Sequence, residues 1–215
     1  LFPYTTLFRS VEKILARIPD KRLHTPVLKI ERDAHSVTLR THQGAERFDK
    51  VILASHADQS LAMLAEPTAQ EQATLNAIRY HPNRAVLHTD TSVMPKKKLA
   101  WAAWNYERAA HDSTESTRVC LHYWLNLLQP LPFHQDVIVS LNPVRPIDAA
   151  HVIGEYAYAH PVFDLPAIQA QTQMPQLQGQ QHTWFAGAWM GYGFHEDGFK
   201  AGRDAAQNLL ASLAE

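Results

Sequence analysis

Phe185-Ala186-Gly187-Ala188-Trp189-Met190-Gly191-Tyr192-Gly193-Phe194-His195-Glu196-Asp197-Gly198-Phe199-Lys200-Ala201-Gly202 decides how this 215-residue chain is read. A strand ends in Ala-Gly, a glycine-rich turn follows, and a helix begins. Five of the chain's eight glycines lie here, at 187, 191, 193, 198 and 202. Glycine concentrates where backbone turns unusually or comes very close to another group. Such a turn ahead of a helix leaves backbone N–H groups unpaired, and the positive end of the helix dipole adds to them. The site therefore suits an anionic or electron-rich ligand. Composition and periodicity alone fit equally a tight strand-to-helix connection with Asp197 or Glu196 as cap, because a glycine-rich loop without a fixed pattern is a weak motif.

Outward from this stretch the pattern is mixed α and β. The final helix spans about Gly198 to Leu213, with Phe199, Ala206, Leu209, Leu210 and Leu213 along one face. Upstream, Thr183–Ala186 reads as a buried strand and Leu165–Met174 as a helix. Val27–Glu31 and Ser36–Arg40 alternate apolar and polar residues, as half-buried antiparallel strands do. Phe48–Ser55 is short, nearly continuously apolar and rich in β-branched residues, which predicts a fully buried strand of a parallel or mixed sheet. Helices are expected over Asp58–Leu64 and Thr68–Ile78, the second opened by Pro67 and a Thr68…Glu71 capping box. Strands are expected at Arg84–Thr89, Leu99–Tyr106, Arg118–Leu125, Val137–Leu141 and His151–Tyr158, a mostly antiparallel sheet of a second lobe.

Composition excludes several classes of function. The formal net charge is −1, which argues against a nucleic-acid-binding face or a polybasic membrane anchor, because both need a local excess of positive charge. Apolar residues make up 46% and charged residues 19%, the balance of a chain with a real core. No apolar run nears the roughly 18 residues of a membrane span. The single cysteine, Cys120, cannot close an internal disulfide, so a reducing, cytoplasmic compartment is expected. Cys120 lies between Val119 and Leu121 and reads as inert core. Thirteen histidines contain no HExxH pattern, and there is no cysteine pair, so spacing supports no metal site.

The first ten residues, LFPYTTLFRS, lack an initiator methionine and match the conceptual translation of a sequencing-library adapter. They are expected to be an artefact outside the fold, with the chain a C-terminal piece of a longer protein.

The glycine-rich stretch resembles the C-terminal flavin motif of the flavin-containing amine oxidase superfamily: a strand ending in Phe-Ala-Gly, an aromatic residue, an acidic residue and an Ala-Gly-bearing helix. Gly187-Ala188-Trp189-Met190-Gly191-Tyr192-Gly193-Phe194-His195-Glu196-Asp197-Gly198 is similar, more narrowly, to a bacterial branch of predicted NAD/FAD-binding proteins. Ala54–Leu61, Arg79–Asp90, Met94-Pro95, Trp101–Tyr106 and Ser140–Pro143 extend the resemblance over residues 11–215. It implies an α/β fold with an α+β substrate lobe, the C-terminal part of a two-lobed FAD-binding architecture whose N-terminal dinucleotide-binding βαβ unit is missing. Residues 11–66 and 163–215 would belong to the FAD-binding domain and 67–162 to the substrate lobe.

The resemblance also implies residue roles. Gly187 and Ala188 would approach the ribityl–pyrophosphate of FAD, and Gly193, Phe194 and His195 would lie at the isoalloxazine ring. The His195 backbone N–H would face the flavin N1/O2 edge, where negative charge grows on reduction. Val27 matches the position whose backbone meets adenine, and Ala54-Ser55-His56 the turn beside the dinucleotide. Read from residues alone, Val27 and Ala54 are equally simple core positions.

Departures from the family pattern carry information too. The acidic residue common after Ala-Gly is replaced by Ala188. The lysine that holds a water near flavin N5 in many relatives has no counterpart in Asn83–His88, which casts doubt on amine oxidation. The Gly-x-Gly-x-x-Gly fingerprint is absent, in line with the expected truncation.

For chemistry, His88 and His195 are candidates for proton transfer because histidine titrates near neutrality. Tyr192 could form an aromatic wall with Phe194, while Trp101, Trp104 and Tyr106 could line the other lobe. The expected activity is hydride transfer from a small organic molecule to FAD. The family's association with lipid-modifying enzymes suggests a lipid or acyl chain, compatible with peripheral membrane contact. A flavin-dependent desaturase or isomerase, or a non-catalytic binding protein on the same fold, are the alternatives.

Overall fold

A computed structural model describes residues 6–108 and 119–214, with side chains described from residue 11 and, after the gap, from 120. In chain order the elements are α1 (Thr6–Leu15), β1 (Lys29–Arg32), β2 (Val37–Thr41), β3 (Gly44–Phe48), β4 (Val51–Leu53), α2 (Ala57–Met63), α3 (Ala69–Asn76) and β5 (Tyr80–His88). There follow β6 (Trp104–Arg108), β7 (Val119–Trp124), α4 (Leu125–Leu128), β8 (Ile138–Leu141), β9 (Val152–Pro161), α5 (Leu165–Leu177), β10 (Thr183–Phe185) and α6 (His195–Ala211). The chain divides into two compact units. One comprises Arg22–His81 with His160–Glu215, the other Leu1–Lys21 with Pro82–Ala159. The expected lobe boundaries, 67 and 162, differ from these breaks. Thr68–Ile78 sits in the first unit because Leu75 and Ile78 are buried in its core.

In the first unit, β1, β2 and β3 form an antiparallel meander, with Ile30 opposite Leu39 and Val37 opposite Phe48. Gly44 turns the β2–β3 hairpin at φ +137°, a conformation glycine adopts freely. The single strand expected over Phe48–Ser55 is two elements. Phe48 ends β3, Asp49-Lys50 turn the chain, and β4 then pairs in parallel with β10, Val51 against Thr183 and Leu53 against Phe185. Ile30, Val37, Leu53, Leu75, Met174, Leu177, Phe185 and Trp189 form one buried cluster beneath these strands and α2, α3 and α5.

The Thr68 capping box forms as the sequence predicts. Thr68 Oγ1 accepts from Glu71 N at 3.1 Å, and the Glu71 carboxylate accepts from Thr68 N at 2.7 Å. Glu71 is also fully buried against Arg32 of β1, bonded to both guanidinium nitrogens. Burial pushes its carboxyl up, but the bonds from Arg32 and Thr68 and the Arg32 charge together hold the group below the usual glutamate range. Helix α5 is capped by Asp164, whose carboxylate accepts from Ala167 N at 3.0 Å. It continues past Pro175 to Leu177, beyond the expected end at Met174, because Met174 and Leu177 both lie in the core.

The second unit contains a five-stranded sheet in the order β6-β7-β8-β5-β9. The pairs β6/β7, β7/β8 and β8/β5 are antiparallel. Leu99–Ala103 is not strand. Asn105 pins Ala102 through both its amide groups, at 3.0 and 2.6 Å, and Trp101 donates to Pro95 O at 2.7 Å, so the strand begins at Trp104. The expected strand start at Arg118 lies outside the described residues. Among the described residues, no helix is long and apolar enough to cross a membrane.

Candidate functional site

The parallel strands β4 and β10 end side by side, with Ala186 N donating to Leu53 O at 2.9 Å. Each runs into a turn and then a helix, and the carboxyl ends of parallel strands are where such sheets bind ligands. After β10, a Cβ at Gly187 would lie 2.3 Å from Trp189 Nε1. The indole folds back over Gly187 and donates to Ser55 O at 3.0 Å, tying the two turns together. Gly187 is therefore required by the protein's own packing, whatever it does for a ligand.

The rest of the loop is similarly held from within. Ala188 O accepts from Gly191 N at 3.1 Å and Gly193 N at 3.0 Å. Gln171 on α5 donates to Trp189 O at 2.9 Å and Gly191 O at 2.7 Å. Gly193 has φ +87°, a left-handed conformation, and sits against the Phe163 ring. Phe194 is the N-cap of α6, which starts three residues before the expected Gly198. The reason is Asp197. Neither it nor Glu196 is the cap; from the third helical position its carboxylate reaches back to Tyr192 N at 3.1 Å and Phe194 N at 3.0 Å.

What this loop offers outward is specific. His195 and Glu196 occupy the first two helical positions, where N–H groups have no intrahelical acceptor, at the positive end of a 17-residue helix. Tyr192, Phe194, His195 and Phe199 are exposed around them, with Tyr192 6.3 Å from Phe163 between ring centres. Gly187 and Ala188 are half-buried at the strand end, with Gly193 exposed on the loop.

The start of α2 differs. Ala57 N donates to the Tyr80 hydroxyl at 3.0 Å, His56 stacks on the Tyr80 ring at 4.4 Å, and Ser55 and Ser60 share a hydrogen bond of 2.8 Å. Burial pushes the Tyr80 phenol up to about 12, so it stays a neutral hydroxyl. This helix end is satisfied by the protein, and it presents the exposed Ala54 and the half-buried Ser55 and His56. Val27 is half-buried against the same core cluster that holds Leu53 and Trp189. Val27, Ala54–His56 and Gly187–Ala188 are thus gathered about one core, with Gly193–His195 further along the loop.

His88 belongs to the other unit and is wholly buried. Its Nδ1 accepts from Asp90 N at 3.1 Å, so Nε2 carries the proton and donates to Ser140 Oγ at 2.7 Å. Burial lowers its pKa and keeps the ring neutral. The ring has no exposed surface for a substrate. Ser140 continues to His122 Nδ1 at 2.6 Å, and His122 Nε2 lies 3.0 Å from Glu107, which pairs with Arg145. Cys120, Glu107 and His122 share that face of the sheet. Sequence spacing missed this group, although Cys120 and His122 stand at the i, i+2 separation that puts strand residues on one face. Glu107 required knowledge of the β6–β7 register. On the opposite face, Trp104 pairs with Tyr123 and Tyr106 with Leu121. Trp104 and Tyr106 are 48% and 71% exposed.

A flavin fits the residues at the start of α6. Its electron-rich ring edge requires N–H donors, its faces accept aromatic walls, and the loop supplies both without rearranging its internal bonds. No match was found among curated proteins. Solved structures share the fold. A CLA-producing fatty acid isomerase from P. acnes aligns over 94% of this chain and 50% of its own, at 14% identity and TM-score 0.62. An engineered putrescine oxidase aligns over 94% and 52%, at 11% and 0.61, and cyclohexylamine oxidase from Brevibacterium oxydans IH-35A over 88% and 49%, at 11% and 0.51. The chain thus spans about half the length of these structures. The family model for flavin containing amine oxidoreductase matches residues 10–135, a span that includes Val27, Ala54–His56 and His88 but not the glycine-rich loop. With more than half of its length matched, the chain belongs to the flavin containing amine oxidoreductase family, whose cofactor is FAD.

Proposed function

We propose that the chain is part of an FAD-dependent oxidoreductase that takes a hydride equivalent from an apolar organic substrate. The observation that carries this reading is the loop from β10 into α6: internally fixed, with first-turn N–H groups and aromatic side chains directed outward. When bound, the flavin supplies the redox chemistry. The His195 and Glu196 N–H groups would hold the cofactor's electron-rich edge and favour its reduced form through the helix dipole. Tyr192 and Phe194 would wall the site and exclude water, and His195, exposed at the helix start, is the proton-transfer candidate. Ala54, Ser55, His56, Gly187 and Ala188 would line the cofactor, with Val27 towards its adenine end.

A lipid or acyl-chain substrate is favoured over an amine. Tyr80–His88 contains no lysine, and one face of the β6–β7 hairpin presents Trp104, Tyr106, Leu121 and Tyr123. An isomerase or desaturase outcome uses the same site, and the fold shared with a fatty acid isomerase supports keeping it as the second reading. The setting proposed is cytoplasmic, with at most peripheral membrane contact and no nucleic-acid partner. Anaerobic mixing of the flavin-loaded protein with unsaturated fatty acids and with amines tests the proposal. Flavin bleaching by the lipids is expected. Bleaching by amines alone would overturn the substrate class, and bleaching by neither would favour isomerisation, which product analysis detects, or a non-catalytic binding protein.

A further inference from the structure

The structure assigns a divalent-metal site, best suited to zinc, to Glu107, Cys120 and His122 on the five-stranded sheet. Among the described residues these three offer ligand atoms that all lie within 4.8 Å of one another. Cys120 Sγ is 3.4 Å from His122 Nε2, and His122 Nε2 is 3.0 Å from Glu107 Oε2. With Zn–S near 2.3 Å and Zn–N and Zn–O near 2.0–2.2 Å, tetrahedral ligands stand roughly 3.3–3.6 Å apart. The Cys120–His122 and His122–Glu107 pairs are within a few tenths of an ångström of that spacing, and the Cys120–Glu107 pair stays within 4.8 Å.

The ligands come from paired, rigid strands: Glu107 is directly opposite Cys120, and His122 is two residues on, on the same face. Cys120 and His122 are buried, while the Glu107 side chain is 22% exposed, which leaves a route for the ion and for water as a fourth ligand.

The surroundings suit a bound cation. A Zn²⁺ ion with one thiolate and one carboxylate carries no net charge, as burial requires. Without metal, the His122 Nε2 proton bridges to Glu107. With metal it moves to Nδ1 and is donated to Ser140 Oγ at 2.6 Å, freeing the Nε2 lone pair. The thiol proton leaves to solvent. Ser140 accepts also from His88 at 2.7 Å, and Arg145 bonds the Glu107 oxygen that faces away, so the ring and carboxylate are oriented by outer partners as in known metal sites. The site does not rest on the flavin reading.

The test uses the 215-residue chain dialysed against zinc and then metal-free buffer, followed by elemental analysis and substitution with Co²⁺. Stoichiometric zinc and a near-ultraviolet sulfur-to-cobalt charge-transfer band are expected. Cys120→Ser, nearly isosteric, should abolish the band and weaken zinc binding at least tenfold with circular dichroism unchanged. Glu107→Gln should keep the band and alter the visible cobalt spectrum. Substoichiometric zinc, cobalt without the band, or undiminished binding in Cys120→Ser would overturn the site and leave adventitious histidine binding as the explanation.

Discussion

Removing the Asp197 carboxylate should loosen the glycine-rich loop by an amount the structure specifies. Asp197 accepts two backbone N–H bonds, from Tyr192 at 3.1 Å and Phe194 at 3.0 Å, and its charge sits at the positive end of α6. Charge-assisted bonds contribute about 1.5–3 kcal/mol when buried and less here, where the group is half-buried; the dipole adds about 0.3–1 kcal/mol. Asp197→Ala is thus expected to cost about 2 kcal/mol, roughly thirtyfold in the opening equilibrium of the loop.

Gly191→Ala should cause the same lesion from the other side. The added Cβ would lie 2.6 Å from Asp197 Cγ and drive the carboxylate off its two amides. Its cost should be at least as large, because a residue that does not fit the native site forfeits the gain from restricting the unfolded chain. The double variant then loses clearly less than the roughly 4 kcal/mol of two independent lesions, although a Cβ at 191 would still lie 2.9 Å from that of residue 197. Urea denaturation gives the cycle, and amide exchange at Tyr192 and Phe194 localises it. Additive losses, or unchanged exchange at those amides in Asp197→Ala, would refute the reasoning.

Three further outcomes follow from the same geometry. Glu71→Gln leaves Arg32 buried without its partner and should destabilise by about 3–5 kcal/mol, read by denaturant midpoint. Because the folded Glu71 pKa is depressed, its contribution is present above the unfolded value, near pH 4.3, and is lost as pH falls through the folded value; the variant's acid limb should be flatter, and an unchanged limb would contradict this. Tyr80→Phe removes the acceptor of the Ala57 N–H and should cost about 1–2 kcal/mol with faster exchange at Ala57; native protection there would refute the cap. Ser140→Ala strips a shared partner from two buried histidines, His88 and His122, and should cost about 2–3 kcal/mol by thermal unfolding, whereas a neutral result would show the linkage to be energetically idle.

Much of the fold could be read from local pattern. The Thr68–Glu71 capping box and the alternation in β1 and β2 report their own environments, so they were legible residue by residue, whereas β4, expected to be fully buried, leaves Ile52 37% exposed. What depended on distant partners was not. The break between β3 and β4 arises because neighbouring residues pair with different strands in different senses. The early start of α6 depends on Asp197 reaching back to Phe194. Of the candidate site, the glycine cluster was visible, but its cause was not: Gly187 and Gly191 make room for Trp189 and Asp197, contacts that only the folded loop creates. The Glu107–Cys120–His122 group was hidden for a similar reason, since one ligand comes from a separate strand and the strand spacing of the other two matches no familiar motif.

The most direct test of the central claim is the visible absorption spectrum of the purified protein, wild type beside Asp197→Ala. An oxidised-flavin band in the wild type, weakened in the variant as the α6 loop loosens, is the predicted result. A folded, colourless wild type that takes up no added FAD would contradict it, and the loop would then be a structural turn.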